Sequence, residues 1–491
     1  MNIEVMEYRR IFYPESVAVI GASDNVMKFG GMFMRALMSF GCKARIYPVN
    51  PKAGVIMGLP AYASLDAIPG QVDFAVITVP AEQVLEAVKA CVKKGVKGAE
   101  ILTAGFREAG PEGAALEREL ARTARAGGLR LIGPNCFGLY SPEAGMTLMP
   151  GGEFSQEPGP VGFISQSGGG TCDAVYMARG RGVHFSVALS YGNGCDLGAA
   201  EMLRYFAADP KTKVVGAYLE GVDDGRDFFE ALKVCAAKKP VVILKGGLSE
   251  QGYRGTLGHT GSMAGTRVAW NAAIKSAGAV EARDLKDLIE LLMAFNCLPG
   301  FTGGGAGILA GGGLRTVDGL DAASAYGFTV PPLDDATAAK IQTLLPPAGG
   351  KGANPVDLAN PVMAPVVVNP IMEMLAARDD IHFLVKYQMI FYLLNSVRDV
   401  RKMTGNKEFN LEYHTALTAK AKEIREKTGK PLVMVLLDIA SAPEHWDMEI
   451  GRWQARAHFT ANGIPVFDNG LQAFSVLRRV ADYYKRVAGS G

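Results

Sequence analysis

The stretch SVAVIGASDNVMKFGG, Ser16 to Gly31, decides the fold. A short run rich in Val and Ile is followed directly by Gly21, then by a polar loop that leads into a helix-length apolar stretch. Strand, glycine turn and helix in that order open a parallel α/β layer. The grammar continues through ARIYPVN, DFAVITVP and LRLIGPN, with helical stretches such as AEQVLEAVKACVKKG between them. It begins again at PVGFISQSGGG, Pro160 to Gly170, running through FSVALSYGN, KVVGAYLEG and PVVILKGG to the helix-like DLKDLIELLMAFNCL. It begins a third time at AGILAGGG, followed by PLVMVLLDI and IPVFD. The expectation is an α/β chain of three domains: a Rossmann-like domain over 1–138 and flavodoxin-like domains over 139–300 and 304–491. FTGGGAG, after Pro299 and Gly300, reads as a linker by composition.

The bulk numbers agree with that picture and exclude several function classes. A chain of 491 residues is too long for one core. With 51 basic and 49 acidic residues the net charge is +2, so no phosphate-backbone footprint for nucleic acid is present. The apolar runs are strand-sized and far short of the roughly 20 residues that span a bilayer. No apolar stretch of signal-peptide length lies before the first strand, so export is not expected. Seven scattered cysteines without a CxxC pair argue against a disulfide framework and a zinc site, and no metal site is expected. A reducing cytoplasm is the expected compartment.

Each motif has two readings. Gly21 places a turn where an anion could rest on helix N–H donors, but GxGxxG is absent and the second strand ends in Val49–Asn50–Pro51 instead of the acid of an NAD site. Ser23, Asn25 and Lys28 offer donors to a phosphate, and a purely structural turn explains the same residues. ISQSGG lacks the glycine two positions before its serine that a hydrolase elbow needs, so a turn presenting N–H groups to an oxyanion fits it better. No P-loop is present. Cys136, in GPNCFG, is either a small buried residue or a site residue at a strand end. His184, His382, His414, His445 and His458 lie in strand-like or helical surroundings and read as structural or surface residues. His259 differs, because glycines at 252, 255, 258, 261 and 265 surround it. An imidazole can accept a phosphoryl group near neutral pH and release it, so a histidine on such a loop could carry that group between two sites.

Taken together, VAVIGAS, YPVNPK, VPAEQV, GPNCFG, GFISQSGG, SYGNGCDL, YLEG, LKGG and GHTGSMAG resemble, in the family's order, the NDP-forming acyl-CoA synthetases, relatives of succinyl-CoA synthetase. The resemblance implies a CoA-binding Rossmann-like domain followed by two ligase-type flavodoxin-like domains. It implies that His259 is phosphorylated and that Glu220 holds the other ring nitrogen. It places CoA against Gly21, Ser23, Lys28, Pro51, Lys52, Val79, Pro80, Asn135 and Cys136, and the acyl group or phosphate near Ser167, Gly168 and Asn193. The implied activity is that of an acid-thiol ligase: acyl-CoA, phosphate and ADP or GDP interconvert with carboxylic acid, CoA and ATP or GTP, through an acyl phosphate and phospho-His259. Nothing after Ile381 reads as an ATP-grasp domain, so the chain is expected to be an α subunit, in an α2β2 assembly whose β subunit holds the nucleotide and Mg. The sequence departs from the family at AGGGLRTVD, where Asn usually precedes the glycines, so no role is carried to Gly311 and Arg315. A CoA-binding scaffold or regulator without phosphoryl transfer is the alternative from another class, and the presence of both His259 and Glu220 argues against it.

Overall fold

The computed structural model describes residues 3–148, 153–249, 251–252, 266–406, 413–439 and 442–489. They form two compact units, one of residues 1–179 with 183–292, the other of 180–182 with 293–491.

The first unit holds two sheets. Strands β1 (Ser16–Ile20), β2 (Arg45–Val49), β5 (Phe74–Ile77), β6 (Gly98–Ile101) and β7 (Arg130–Ile132) make an all-parallel sheet in the order β2-β1-β5-β6-β7; a small hairpin, β3 (Val55–Ile56) and β4 (Leu59–Pro60), stands outside it. The second sheet runs β13-β12-β11-β9-β10-β8, from β8 (Gly138–Tyr140), β9 (Val161–Ser165), β10 (Phe185–Ser190), β11 (Val214–Leu219), β12 (Val241–Lys245) and β13 (Val280–Ala282). Only β8 is antiparallel, pairing Leu139 with Leu189. In the second unit, β14 (Ala306–Ala310), β15 (Val356–Asp357), β16 (Phe383–Gln388), β17 (Leu432–Leu436) and β18 (Val466–Phe467) form the parallel sheet β15-β14-β16-β17-β18.

Counted in order of appearance, the parallel strands of all three sheets follow one order, 2-1-3-4-5. In a doubly wound sheet of that order the crevice opens at the carboxyl ends of strands 1 and 3, where the connections leave for opposite faces. The three strand-1 turns lie at Gly21, Gln166–Ser167 and Gly311–Gly312, each in a glycine-bearing stretch that the sequence reading singles out. Each turn is followed by a helix, Phe29–Phe40, Gly168–Arg179 or Gly313–Ala325. SVAVI, FAVI, VGFIS and FSVALS are buried at every position, as parallel strands covered on both faces must be.

The two sheets of the first unit share a core. Helix Ile3–Phe12, which the sequence reading left unassigned, stacks Tyr8 on Phe12 at 5.7 Å and sets both against Tyr205 of helix Ala199–Ala208, at 5.4 and 4.8 Å. Asp73 fixes the start of β1: one carboxylate oxygen accepts from the backbone N–H of Glu15 and Ser16 and from the Ser16 hydroxyl. FTGGGAG is not a free linker, since Gly305 bridges to Thr329 and β14 begins at Ala306.

Candidate active site

At the first switch point, Gly21 has φ +91°, and a Cβ there would lie 2.7 Å from Thr78 Oγ1. A Cβ on Gly30 would overlap the Gly21 carbonyl. The helix from Phe29 is therefore pressed onto the turn, and this contact, not a dinucleotide fingerprint, accounts for the glycine spacing. Thr78 donates its hydroxyl to the Ile20 carbonyl at 2.9 Å, and Thr103 donates to that of Val79 at 2.6 Å, so the ends of β1 and β5 are tied down. Between them lies a cavity of about 910 Å³ lined by Gly21, Lys28, Pro51, Val79 and Pro80 among others. Asn50 and Thr78, which the sequence reading did not select, line it too. Asn50 donates to the Ala22 carbonyl and accepts from the Lys52 N–H, which shapes the rim. Ser23 accepts from the Asn25 N–H in a local turn. Ser23, Lys52, Asn135 and Cys136 do not line this cavity. Asn135 has φ +56°, and Cys136 is buried with its thiol donating to the Ile101 carbonyl; burial drives that thiol's pKa well up.

At the second switch point, Ser165 pairs in register with Tyr218, which brings the residues after β9 and β11 side by side. Ser167 caps helix Gly168–Arg179: its Oγ accepts from the Gly170 N–H at 3.0 Å and its carbonyl from Thr171. A Cβ on Gly168 would sit 2.8 Å from the Phe137 ring, so the close approach there requires glycine. Gln166 joins the two strand ends, its buried Oε1 accepting the backbone N–H groups of both Glu220 and Gly221. Glu220, also buried, accepts the Tyr218 hydroxyl at 3.2 Å. Lys245, at the end of β12, donates to the Glu220 carbonyl at 2.7 Å and stands 5.0 Å over the Trp270 ring. Burial pushes its pKa down to about 8, against the pull of the Glu220 charge.

Asn193 is engaged elsewhere. Its amide donates to Glu108 at 2.6 Å and Glu117 at 2.8 Å, and its N–H to the Pro134 carbonyl. Arg107 donates to the Asn193 carbonyl and pairs with Asp223 at 3.0 Å. This polar cluster fastens the first sheet's loops to the second's, beside a 230 Å³ pocket that Gln166, Tyr191, Asn193 and Gly221 help to line. Burial raises the Glu117 pKa; Glu108 is pushed the same way, but its hydrogen bonds from Asn193, Gly105 and Phe106 outweigh burial and lower it.

The structure thus brings Ser167, Gly168 and Glu220 to one switch point, and Gly21, Lys28, Pro51, Val79 and Pro80 to another. His259 and residues 253–265 around it lie outside the described residues. In the second unit, Gly312 (φ +105°) donates its N–H to Asp357 at 2.9 Å, and a Cβ on Gly311 would lie 2.8 Å from Pro361. Sequence reasoning missed Gln166, Tyr218, Lys245, Thr78 and the Arg107–Glu108–Glu117 cluster. A 2-1-3-4-5 order assumed in advance would have pointed to Thr78, the residue directly after strand 3.

Residues 15–142 match the family model for a CoA binding domain, and residues 158–295 that for a succinyl-CoA ligase like flavodoxin domain. The chain is 33% identical to the Pyrococcus furiosus acetate–CoA ligase [ADP-forming] I subunit alpha over 98% of each. It is 40% identical to the Archaeoglobus fulgidus acetate–CoA ligase [ADP-forming] I over 71% of this chain, a match that spans half the length of that relative. Among solved structures, the Ca. Korarchaeum cryptofilum dinucleotide forming acetyl-coenzyme A synthetase 1 in complex with phosphate and ADP superposes with TM-score 0.79. It is 27% identical, and the match covers 98% of this chain and 97% of that one. No described helix is long and apolar enough to cross a membrane.

Proposed function

The chain belongs to the family of ADP-forming acetate–CoA ligases, matching an alpha subunit over nearly its whole length, and from that premise we propose that it is the CoA-handling, phosphohistidine-bearing subunit of an ADP-forming acyl-CoA ligase. A CoA-binding scaffold is not favoured, because the relatives carry the names of ligases. The observation that carries the proposal is the Gln166 bridge, which holds an oxyanion-type turn and a buried carboxylate side by side at the second switch point. The 910 Å³ cavity of the first sheet, within the size range of ligand pockets, supports CoA as the substrate there.

In this reading Lys28, Pro51 and Val79–Pro80 hold CoA, with Ser23, Lys52, Asn135 and Cys136 belonging to the surrounding loops. The N–H groups that open helix Gly168–Arg179, with Ser167, receive phosphate and the acyl oxygen, and Asn193 keeps the neighbouring loops in place. Phosphate oxygen attacks the thioester carbon, the C–S bond breaks, and CoA leaves with an acyl phosphate in its place. A ring nitrogen of His259 then takes the phosphoryl group and releases the carboxylate. Glu220 accepts from the other ring nitrogen, fixing the tautomer and balancing the positive ring. Phospho-His259 passes the phosphoryl to ADP on a partner subunit of ATP-grasp type, which would hold the Mg ion; an α2β2 assembly of a cytoplasmic enzyme follows. The domain limits 1–138, 139–300 and 304–491 are retained in this proposal.

Incubating the chain with a suitable acyl-CoA and labelled phosphate tests it. One label, lost in acid and stable in base, is expected. His259→Ala should abolish it while CoA still binds. Glu220→Gln should slow labelling by about two to three powers of ten, the common cost of a positioned electrostatic partner. Undiminished labelling of His259→Ala would overturn the phosphohistidine.

A further inference from the structure

The glycine run in FTGGGAG builds one wall of a cavity in the second unit. Gly303 and Gly304 have φ of +74° and +126°. A Cβ on Gly303 would lie 2.9 Å from the Phe328 ring, and one on Gly304 2.5 Å from His382 Nδ1. Gly305 donates its N–H to that same Nδ1 at 2.9 Å. A neutral ring that accepts at Nδ1 carries its hydrogen on Nε2. The backbone thus wraps closely around the imidazole at positions that favour glycine, and it leaves a cavity of about 250 Å³ between residues 298–303, His382 and the loop that leads into β17.

Arg425, Lys430, His382, Thr302 and Thr428 line this cavity, and among the described residues no Asp or Glu does. Arg425 donates once to the Gly463 carbonyl, at 3.2 Å. Lys430 donates to the carbonyls of Ala376 and Arg378, at 2.8 and 2.6 Å. Among the described residues neither cation has a carboxylate partner. Asp380, whose charge reaches His382, is held by Arg378 through both oxygens, at 2.9 and 2.7 Å. Two positive side chains at a concave, acid-free wall favour a negative guest, and a guanidinium fork suits an oxyanion.

We infer that this cavity is a binding site for a small oxyanion, a phosphate either free or at the end of a larger molecule. Its volume holds a phosphate with several waters, each needing roughly 30 Å³, and is well below that of the first sheet's cavity. It lies at the amino ends of β14, β16 and β17, the edge of the sheet opposite the Gly311–Gly312 turn, so it is not the sheet's switch-point crevice. An occupant would clamp residues 298–303 to the loop 428–431 and stabilise the second unit by mass action.

Hydrogen exchange on the full chain tests the site, with inorganic phosphate and AMP as separate probes against chloride of equal ionic strength. The expected result is slower exchange in 298–305 and 428–431 with phosphate, with AMP, or with both; phosphate alone identifies a free anion, AMP alone a nucleotide-borne one. Arg425→Gln should cut the apparent affinity at least tenfold, and Arg425→Lys, which keeps the charge but loses the fork, should recover only part of it. Because Arg425 makes a single backbone bond, neither change threatens the fold as loss of Lys430 would. No protection with either probe, or equal protection in Arg425→Gln, overturns the proposal. Phosphate at the second sheet's turn would protect 165–171 instead, so the two sites are told apart.

Discussion

Glu100 shows how one buried residue can report on the first unit. It stands on β6, 1% exposed, and accepts the Leu139 N–H at 2.9 Å. Burial raises its pKa to about 8, which that hydrogen bond only partly offsets. An unfolded glutamate ionises near about 4.3, so between there and about pH 8 the unfolded chain has lost a proton that the folded chain keeps. Stability contributed here is therefore fully present at acid pH and falls as pH rises through that window. Glu100→Gln keeps an acceptor and cannot ionise. Its melting temperature should match the wild type near pH 4.5 and exceed it at pH 8, by the equivalent of up to about 5 kcal/mol, the ceiling set by a shift from about 4.3 to about 8; scanning calorimetry at the two pH values checks this. At this scale the sequence was partly legible. YLEG and SQSGG drew attention to Glu220 and Ser167, but nothing in the sequence did so for Gln166 and Lys245, whose contacts arise only where strands distant in sequence lie side by side. Cys136 was left between two readings, and its burial favours the plainer one.

Elements were read more reliably than residues, because parallel strands buried on both faces are unbroken apolar runs and glycine lies in or directly after each strand-1 turn. What escaped was set by distant partners. Helix Ile3–Phe12 owes its place to Tyr205, and β8 to its antiparallel pairing with β10. The approach of helix Phe29–Phe40 to its turn gives a prediction of its own. Gly30→Ala must push the helix off the Gly21 carbonyl, at the about 1–3 kcal/mol typical of overpacking. CoA affinity, measured by calorimetry, should fall about tenfold or more, while phosphate protection of 165–171 on the second sheet stays unchanged.

For the whole molecule, the proposed division of labour predicts that the purified chain binds CoA unaided but makes no ATP from acyl-CoA, phosphate and ADP. Adding an ATP-grasp β subunit should restore turnover, and a coupled assay with and without that subunit checks it; ATP formation by the chain alone would place a nucleotide site within it. The shared strand order has a further consequence. Every strand of each sheet comes from one uninterrupted stretch of chain: β1 to β7, β8 to β13, and β14 to β18. Among the described residues no ladder depends on the peptide bonds between Ala282 and Ala306. The covalent order of the sheets is accordingly a matter of inheritance, and a gene could be split, fused or permuted at that seam without unpairing a single strand.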